Sequence, residues 1–188
     1  IHHLAPKGRI GLVLANGSLS SQSGGEGEIR KNIIEADLVE GIVALPSQLF
    51  YSTGIPVCLW FLAKDKPQKG KTLFIDARNM GEMVTRRLRE LDDEKDIKMM
   101  AKIFEDFRNG KEVSKPGVCA VVSIEEIAKQ DYVLTPGRYV GIADEEDDKE
   151  PYEEKVARLS SEISELFKQS RIQEEEIRMQ LSKIGINL

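Results

Sequence analysis

Phe50 and Tyr51 stand side by side in residues 45–56, the run Leu45-Pro46-Ser47-Gln48-Leu49-Phe50-Tyr51-Ser52-Thr53-Gly54-Ile55-Pro56, which holds no charged side chain. Aromatic rings in a loop seldom go without a use, because leaving them in water forfeits the free energy of burying them. The residues alone leave two uses open. Either the rings fold back and plug the domain, or one of them walls a pocket for a planar ligand, since an aromatic face stacks on a base without demanding particular hydrogen bonds.

Other familiar chemistry is missing from the chain. Gly24-Gly25-Glu26-Gly27 is the one glycine-rich candidate for a nucleotide loop. It has neither GxGxxG spacing nor a GK[ST] ending, so it reads as a flexible loop. There is no GxSxG, no HExxH and no paired CxxC. The only cysteines, Cys58 and Cys119, lie in apolar runs and read as buried thiols rather than a disulfide or metal site. His2 and His3 read as a surface helix end, because no further His or Cys completes a ligand set. The sequon Asn16-Gly17-Ser18 has meaning only in a secreted chain, and no signal segment precedes it.

Hydrophobic periodicity supplies the elements that must hold the aromatic loop. Residues 38–44 and 56–63 (LVEGIVA and PVCLWFLA) are short runs rich in β-formers on either side of it, so the loop joins two strands. Residues 10–15 and 72–76 read as further strands, and residues 28–36 as a helix with Ile29, Ile33, Ile34 and Ala36 at helical spacing. Asp92 or Asp93 caps a helix over residues 94–109 that Gly110 stops. A strand at 118–122 runs into the capping box Ser123-Ile124-Glu125-Glu126, and an aromatic stretch with a Pro-Gly turn covers 131–140. The opening residues 1–8 read as the end of a helix closed by Pro6 and Gly8, as though the chain starts inside an element and more precedes it.

Composition bounds the rest. The 188 residues are 40% hydrophobic and 31% charged, enough for one α/β domain and an appendage. No stretch reaches the roughly 18 apolar residues of a membrane span, so a cytoplasmic protein without membrane contact is expected. The formal charge of -5 argues against the whole chain being a nucleic-acid module, yet it is unevenly placed. Residues 1–90 carry 12 Lys+Arg against 9 Asp+Glu, or +3, and the remainder 15 against 23, or -8. Any contact with DNA therefore falls to the first half. An acidic linker at 144–150 leads to a long polar helix over 151–184, where Val156, Leu159, Ile163 and Leu166 keep 3,4 spacing. The pattern lapses at Ser170 and Gln173 and resumes at Ile177, Leu181 and Ile184, which suits a helix bundled with a partner.

A resemblance adds to this reading. Leu4-Ala5-Pro6-Lys7-Gly8-Arg9, Val13-Leu14-Ala15-Asn16-Gly17-Ser18-Leu19, Gly27-Glu28-Ile29-Arg30-Lys31, Leu45-Pro46, Leu49-Phe50-Tyr51-Ser52-Thr53-Gly54-Ile55-Pro56 and Leu73-Phe74-Ile75-Asp76-Ala77 follow one another as they do in the modification subunit of type I restriction-modification systems. Tyr132-Val133-Leu134-Thr135-Pro136 and Gly137-Arg138-Tyr139-Val140 resemble that family's C-terminal stretch. The resemblance covers residues 4–140. It implies an α/β fold, the C-terminal portion of a Rossmann-like methyltransferase sheet followed by a long C-terminal helix, with residues 38–44 and 56–63 as the sheet's last antiparallel hairpin. It implies a parent enzyme that is an adenine-specific DNA methyltransferase, moving a methyl group from S-adenosylmethionine to adenine N6. It also implies specificity and restriction subunits as partners, with double-stranded DNA reached through the complex.

Family members carry a cofactor glycine motif and a catalytic Asn-Pro-Pro-aromatic motif upstream of the matching region, and this sequence contains neither. No catalytic, cofactor-binding or metal residue is therefore assigned, and the chain alone is expected to be inactive and to hold no S-adenosylmethionine. One role carries over. The family places an aromatic residue at the start of the loop before the final strand, against the flipped-out base, and Phe50 stands there; Tyr51 is the runner-up, while Thr53 and Gly54 shape the loop. The implied organisation is 1–110 as the later half of the catalytic domain, 111–150 as a family-specific tail and 151–188 as a subunit-contact helix. A different reading makes the chain an assembly module that binds the specificity subunit without activity of its own.

Overall fold

Strand β2 (Val39–Ala44) is buried along its whole length, hydrogen-bonded on both edges and packed against a core cluster on each face. On one side it runs antiparallel to β3 (Val57–Ala63), and on the other parallel to β4 (Lys71–Asp76). Strands β1 (Arg9–Ala15) and β7 (Cys119–Ser123) complete a mixed five-stranded sheet of order β1-β3-β2-β4-β7. A separate ribbon pairs β5 (Glu82–Met83) with β6 (Arg89–Glu90). The computed structural model describes residues 1–142 and 152–183; the expected acidic linker at 144–150 and Ile184 lie outside them.

Alternation along the strands divides the core between two faces. Ile42, Trp60, Leu62 and Phe74 face a cluster with Leu19, Ile34, Ile127 and Leu134, beneath helices α1 (Glu26–Glu35) and α3 (Ile124–Lys129). Val43, Leu73 and Ile75 face the opposite cluster, which α2 (Lys98–Arg108) covers with Phe104 and Phe107. The helices sit where sequence chemistry starts them. Asp92 accepts from the Glu94 and Lys95 amides at the head of a π-helical turn leading into α2, and Ser123 and Glu126 form the capping box of α3. Gly110 ends α2's segment at φ 76°, a left-handed conformation that glycine adopts without strain.

Residues 1–8 differ from the expected helix end. They form two turns, closed by Leu4 N–H to Ile1 O at 3.0 Å and Gly8 N–H to Ala5 O at 2.9 Å. Two isolated bonds do not propagate a helix, and Pro6 has no amide hydrogen to extend one. The antiparallel hairpin of residues 38–44 and 56–63 is present as β2 and β3, and β1 flanks it on the far edge of β3. Cys58 and Cys119 are both buried free thiols.

Glu40 interrupts the β2–β3 register. Val39 pairs with Leu62 and Gly41 with Phe61, which leaves Glu40 as the extra residue of a β-bulge. Its side chain is 1% exposed and lies between two arginines. Arg9 from β1 donates at 2.5 Å and 2.7 Å, and Arg108 from the end of α2 at 2.8 Å and 2.9 Å. Glycine is required beside it: a Cβ on Gly41 would stand 2.6 Å from Phe104 Cε2. Lys66 is buried near the same end of β2, donating to Val39 O at 3.0 Å and Lys71 O at 2.8 Å and paired with Asp37 at 2.5 Å. On the α1 side, Arg30 donates from Nε to Tyr132 O at 2.8 Å and from Nη1 to Ser21 O at 2.7 Å, tying the helix to the loop after β1 and to the tail. Tyr139 stacks on Phe74 with centroids 4.3 Å apart, and burial pushes its phenol up to about 12.

The chain forms two compact units, Ile1–Asp144 and Glu145–Leu188. In the second, α4 (Tyr152–Lys183) is one uninterrupted helix on which Val156, Leu159, Ile163 and Leu166 are exposed. The lapse in apolar spacing at Ser170 and Gln173 does not break it, since neither residue is a helix breaker.

Burial alone would raise the pKa of Glu40, but the hydrogen bonds and charges of Arg108 and Arg9 outweigh it and hold the carboxyl below its ordinary range. A depressed carboxyl pKa stabilises the fold above about pH 4.5, and that stability is lost as pH falls through the folded-state value. Glu40→Gln should cost about 3 kcal/mol at pH 7, the low end for a broken buried ion pair because both arginines keep some water. In urea titrations from pH 7 to pH 3, the gap between wild type and Glu40→Gln should narrow below pH 4.5; a gap independent of pH would remove this account.

Candidate target-base loop

Residues 45–56 leave the C-terminal end of β2 and return at the start of β3. The root of this loop is closed by Leu45 N–H donating to Val57 O at 2.9 Å, with Leu45 7% exposed. Asn16, just past the end of β1, donates its amide to Pro56 O at 3.4 Å, so the loop lies beside the outgoing end of β1 as well. The Asn16 Oδ1 is buried and has no partner among the described residues.

Toward the tip the loop shapes itself. Phe50 and Thr53 form an isolated antiparallel bridge around Tyr51 and Ser52. Thr53 Oγ1 accepts from the Ile55 amide at 3.2 Å, a hydroxyl turn that fixes the return. The backbone over Gly54 is open: a Cβ added there would meet only Gln48 Cγ, at 3.7 Å. Phe50 is 42% exposed and Tyr51 91%. The rings therefore do not plug the domain in this chain; they present apolar surface outward, which favours the ligand-wall use of the two that the residues left open. All four expected residues, Phe50, Tyr51, Thr53 and Gly54, lie together on this one turn.

A second element supports the loop and was not legible in advance. The β5–β6 ribbon lies against Gln48, whose carbonyl accepts the Arg89 amide at 2.8 Å and whose Nε2 approaches Arg86 O at 3.5 Å. Gln48 has φ 65°, a left-handed conformation that is costly for a residue with a side chain and that its carbonyl bond helps to hold. Leu88, 7% exposed, roots the ribbon, and Arg89 donates to Met80 O and Gly81 O, each at 3.0 Å. The only advance signal was composition: Val84-Thr85-Arg86-Arg87-Leu88-Arg89 holds three arginines and no acid.

Gly24 and Gly25, with φ 60° and 82°, form the turn that leads into α1, with open space where a Cβ would stand. Among the described residues no cluster of His, Cys, Asp or Glu could hold a metal ion, and no helix is long and apolar enough to cross a membrane.

This arrangement, a sheet ending in an antiparallel hairpin with an uncharged aromatic loop at its turn, can be set beside known proteins. The family model described as N-6 DNA Methylase matches residues 1–148. The chain belongs to the N-6 DNA methylase family. It is 49% identical over 187 residues to the type I restriction enzyme HindI methylase subunit of Haemophilus influenzae, covering 98% of this chain and 42% of that protein. It is 46% identical to the MjaIX methylase subunit of Methanocaldococcus jannaschii, again over 98% of this chain, and 33% of that one. The chain thus spans 42% and 33% of the length of these two relatives. Among solved structures it is similar to the type I restriction-modification methyltransferase subunit from Streptococcus thermophilus, with TM-score 0.59, 27% identity, and coverage of 72% of this chain and 27% of that one. The EcoKI M protein shares the fold at TM-score 0.56 and 16% identity, with coverage of 92% and 41%.

The exposure of the two rings sets a stability expectation. Phe50→Ala and Tyr51→Ala should each shift unfolding by less than about 1 kcal/mol, as for surface positions, whereas Leu45→Ala at the buried root should cost about 2 to 5 kcal/mol. Urea midpoints of the three variants check this, and a Phe50→Ala loss as large as that of Leu45→Ala would restore the plug.

Proposed function

We propose that this chain is the target-base-facing, later part of a type I modification methyltransferase, whose whole protein transfers a methyl group from S-adenosylmethionine to adenine N6 in DNA. In that reading residues 1–110 are the later half of the catalytic domain, 111–150 are the family-specific tail, which adds edge strand β7 to the sheet, and 151–188 contact other subunits. The observation that carries it is the exposed Phe50 ring on an uncharged loop at the turn of the β2–β3 hairpin, in a chain of the N-6 DNA methylase family. Flipping a base strips one face of its stacking neighbour, and a held ring replaces that contact for an adenine whose amino group must be reached. Tyr51 is the alternative ring, Thr53 holds the turn, and Gly54 leaves the approach open. The methyl donor and the groups that orient the amino nitrogen belong to the rest of the whole protein, and no step of transfer is assigned to residues here. The complex is assigned to the cytoplasm.

In the whole methyltransferase, Phe50→Ala should lower single-turnover methylation about five-fold to a hundred-fold, from roughly 1 to 3 kcal/mol of lost stacking, with S-adenosylmethionine affinity nearly unchanged. Phe50→Trp should keep much of the activity. Full activity in a stable Phe50→Ala enzyme would end the base-stacking assignment.

A second reading rests on α4, whose exposed Val156, Leu159, Ile163 and Leu166 form one apolar stripe. Such a stripe suits a helix bundle with the specificity subunit, while the restriction subunit and double-stranded DNA join through the complex. Ending the whole protein after Asp148 should leave a folded methyltransferase domain that no longer co-purifies with the specificity subunit; unchanged co-purification would remove this role from the helix.

A further inference from the structure

The ribbon of β5 and β6 carries charge that the fold does not use. Arg86 and Arg87 are exposed at its tip, and among the described residues neither guanidinium meets a carboxylate. Arg89, by contrast, spends its charge inward on the carbonyls of Met80 and Gly81. The tip is built rather than loose. Thr85 Oγ1 accepts the Arg87 and Leu88 amides at 3.2 Å and 3.1 Å, the Val84 amide reaches Leu88 O at 2.9 Å, and Leu88 is buried beneath. The acids of the ribbon sit at its base, where Glu82 and Glu90 are paired across the strands. A polyanion is therefore attracted to the tip and repelled from the base.

Position gives this tip a meaning. Arg86 O and the Arg89 amide both bond to Gln48, two residues before Phe50 in the aromatic loop. We propose that the ribbon clamps the DNA backbone beside the extruded adenine, Arg86 and Arg87 each taking a phosphate. This rests on the base-stacking reading of Phe50 for the identity of the neighbouring base, but not for the phosphate contacts themselves. A phosphate held at the tip keeps the duplex in register with the loop, because the two elements share Gln48. DNA is favoured over an acidic protein because a pair of unpaired arginines next to an uncharged stacking ring matches the alternation of phosphate and base along one strand.

The test is a salt titration of DNA binding by the whole methyltransferase assembled with its specificity subunit. Wild type, Arg86→Ala/Arg87→Ala and Arg86→Lys/Arg87→Lys are measured by fluorescence anisotropy on duplexes with and without the target sequence. Neutralising one phosphate contributes about 0.9 to the slope of log affinity against log salt, so the alanine pair should lower the slope by about 1.8 on both duplexes. Between 50 mM and 200 mM salt it should then lose about ten-fold less affinity than wild type. The lysine pair should restore the slope, and all three should melt together. An unchanged slope overturns the clamp, as does a loss confined to the target duplex that lysine does not restore, which would mean base readout. Release of the specificity subunit with the slope unaltered also overturns it, in favour of a protein interface. Phe50→Ala is carried in the same titration and should leave the slope as in wild type. Its methylation rate separately decides the stacking reading, so failure of one proposal is distinguishable from failure of the other.

Discussion

Burial of the Glu40 carboxylate between Arg9 and Arg108 is the constraint on which the placement of the other parts depends. A carboxylate removed from water is costly unless charge and hydrogen bonds replace its hydration, and here two guanidiniums do so from different elements. Arg9 begins β1 and Arg108 ends α2, so one side chain on β2 holds an edge strand and a covering helix to the same point. The bulge makes this possible. An unpaired residue is freed from strict alternation, so the carboxylate is not committed to either face of the sheet. Gly41 then lets Phe104 close over the backbone, and Arg108 lies over the Phe104 ring at 4.6 Å, so the ion pair and the aromatic packing share a residue.

From that end of β2 the chemistry changes along the strand. Glu40 and, beside Val39, the Lys66 ammonium occupy its beginning, while Ile42, Val43, Ala44 and Leu45 are wholly apolar. Charge that fixes position is thus gathered at the entry, and the exit is left free of it. The loop of residues 45–56 inherits this neutrality, with no charged side chain along its length. Positive charge returns one element away, on the ribbon tip, where it stands beside the loop without entering it.

How far the sequence discloses all this depends on what kind of signal each part carries. The strands flanking the loop were legible because short, largely apolar runs rich in β-formers and bounded by turn residues have few alternatives, and the capping box at Ser123 and the cap at Asp92 are local hydrogen-bond chemistry written in adjacent residues. The family resemblance located Phe50. Glu40 and Gly41 were visible only as two polar or small residues in a strand, since a bulge is defined by the partner strand's register and that is not local. The ribbon escaped notice for a related reason: strands of two residues have no period to detect, and its order comes from Leu88 and Gln48, far apart in sequence. At residues 1–8 local reading misled, because Pro6 and Gly8 mark turns as well as helix ends.

The tail shows why such nonlocal contacts matter to the loop end of the sheet. Phe74 in β4 carries Tyr139 stacked on it, and Asp76 at the end of β4 is held as a carboxylate below its usual range by Arg78, though burial alone would raise it. Gly137 leaves room for this pair: a Cβ there would stand 2.7 Å from the Arg78 guanidinium. The segments Leu73-Phe74-Ile75-Asp76 and Gly137-Arg138-Tyr139, more than 60 residues apart, are thus two halves of one packed feature. That feature braces β4 on the flank of β2 opposite β3, while the Glu40 bulge anchors β2 at its entry. Held from both sides, β2 delivers the loop from a fixed end, and the loop's own bridge and hydroxyl turn then carry the exposed residues 50–55 outward from it.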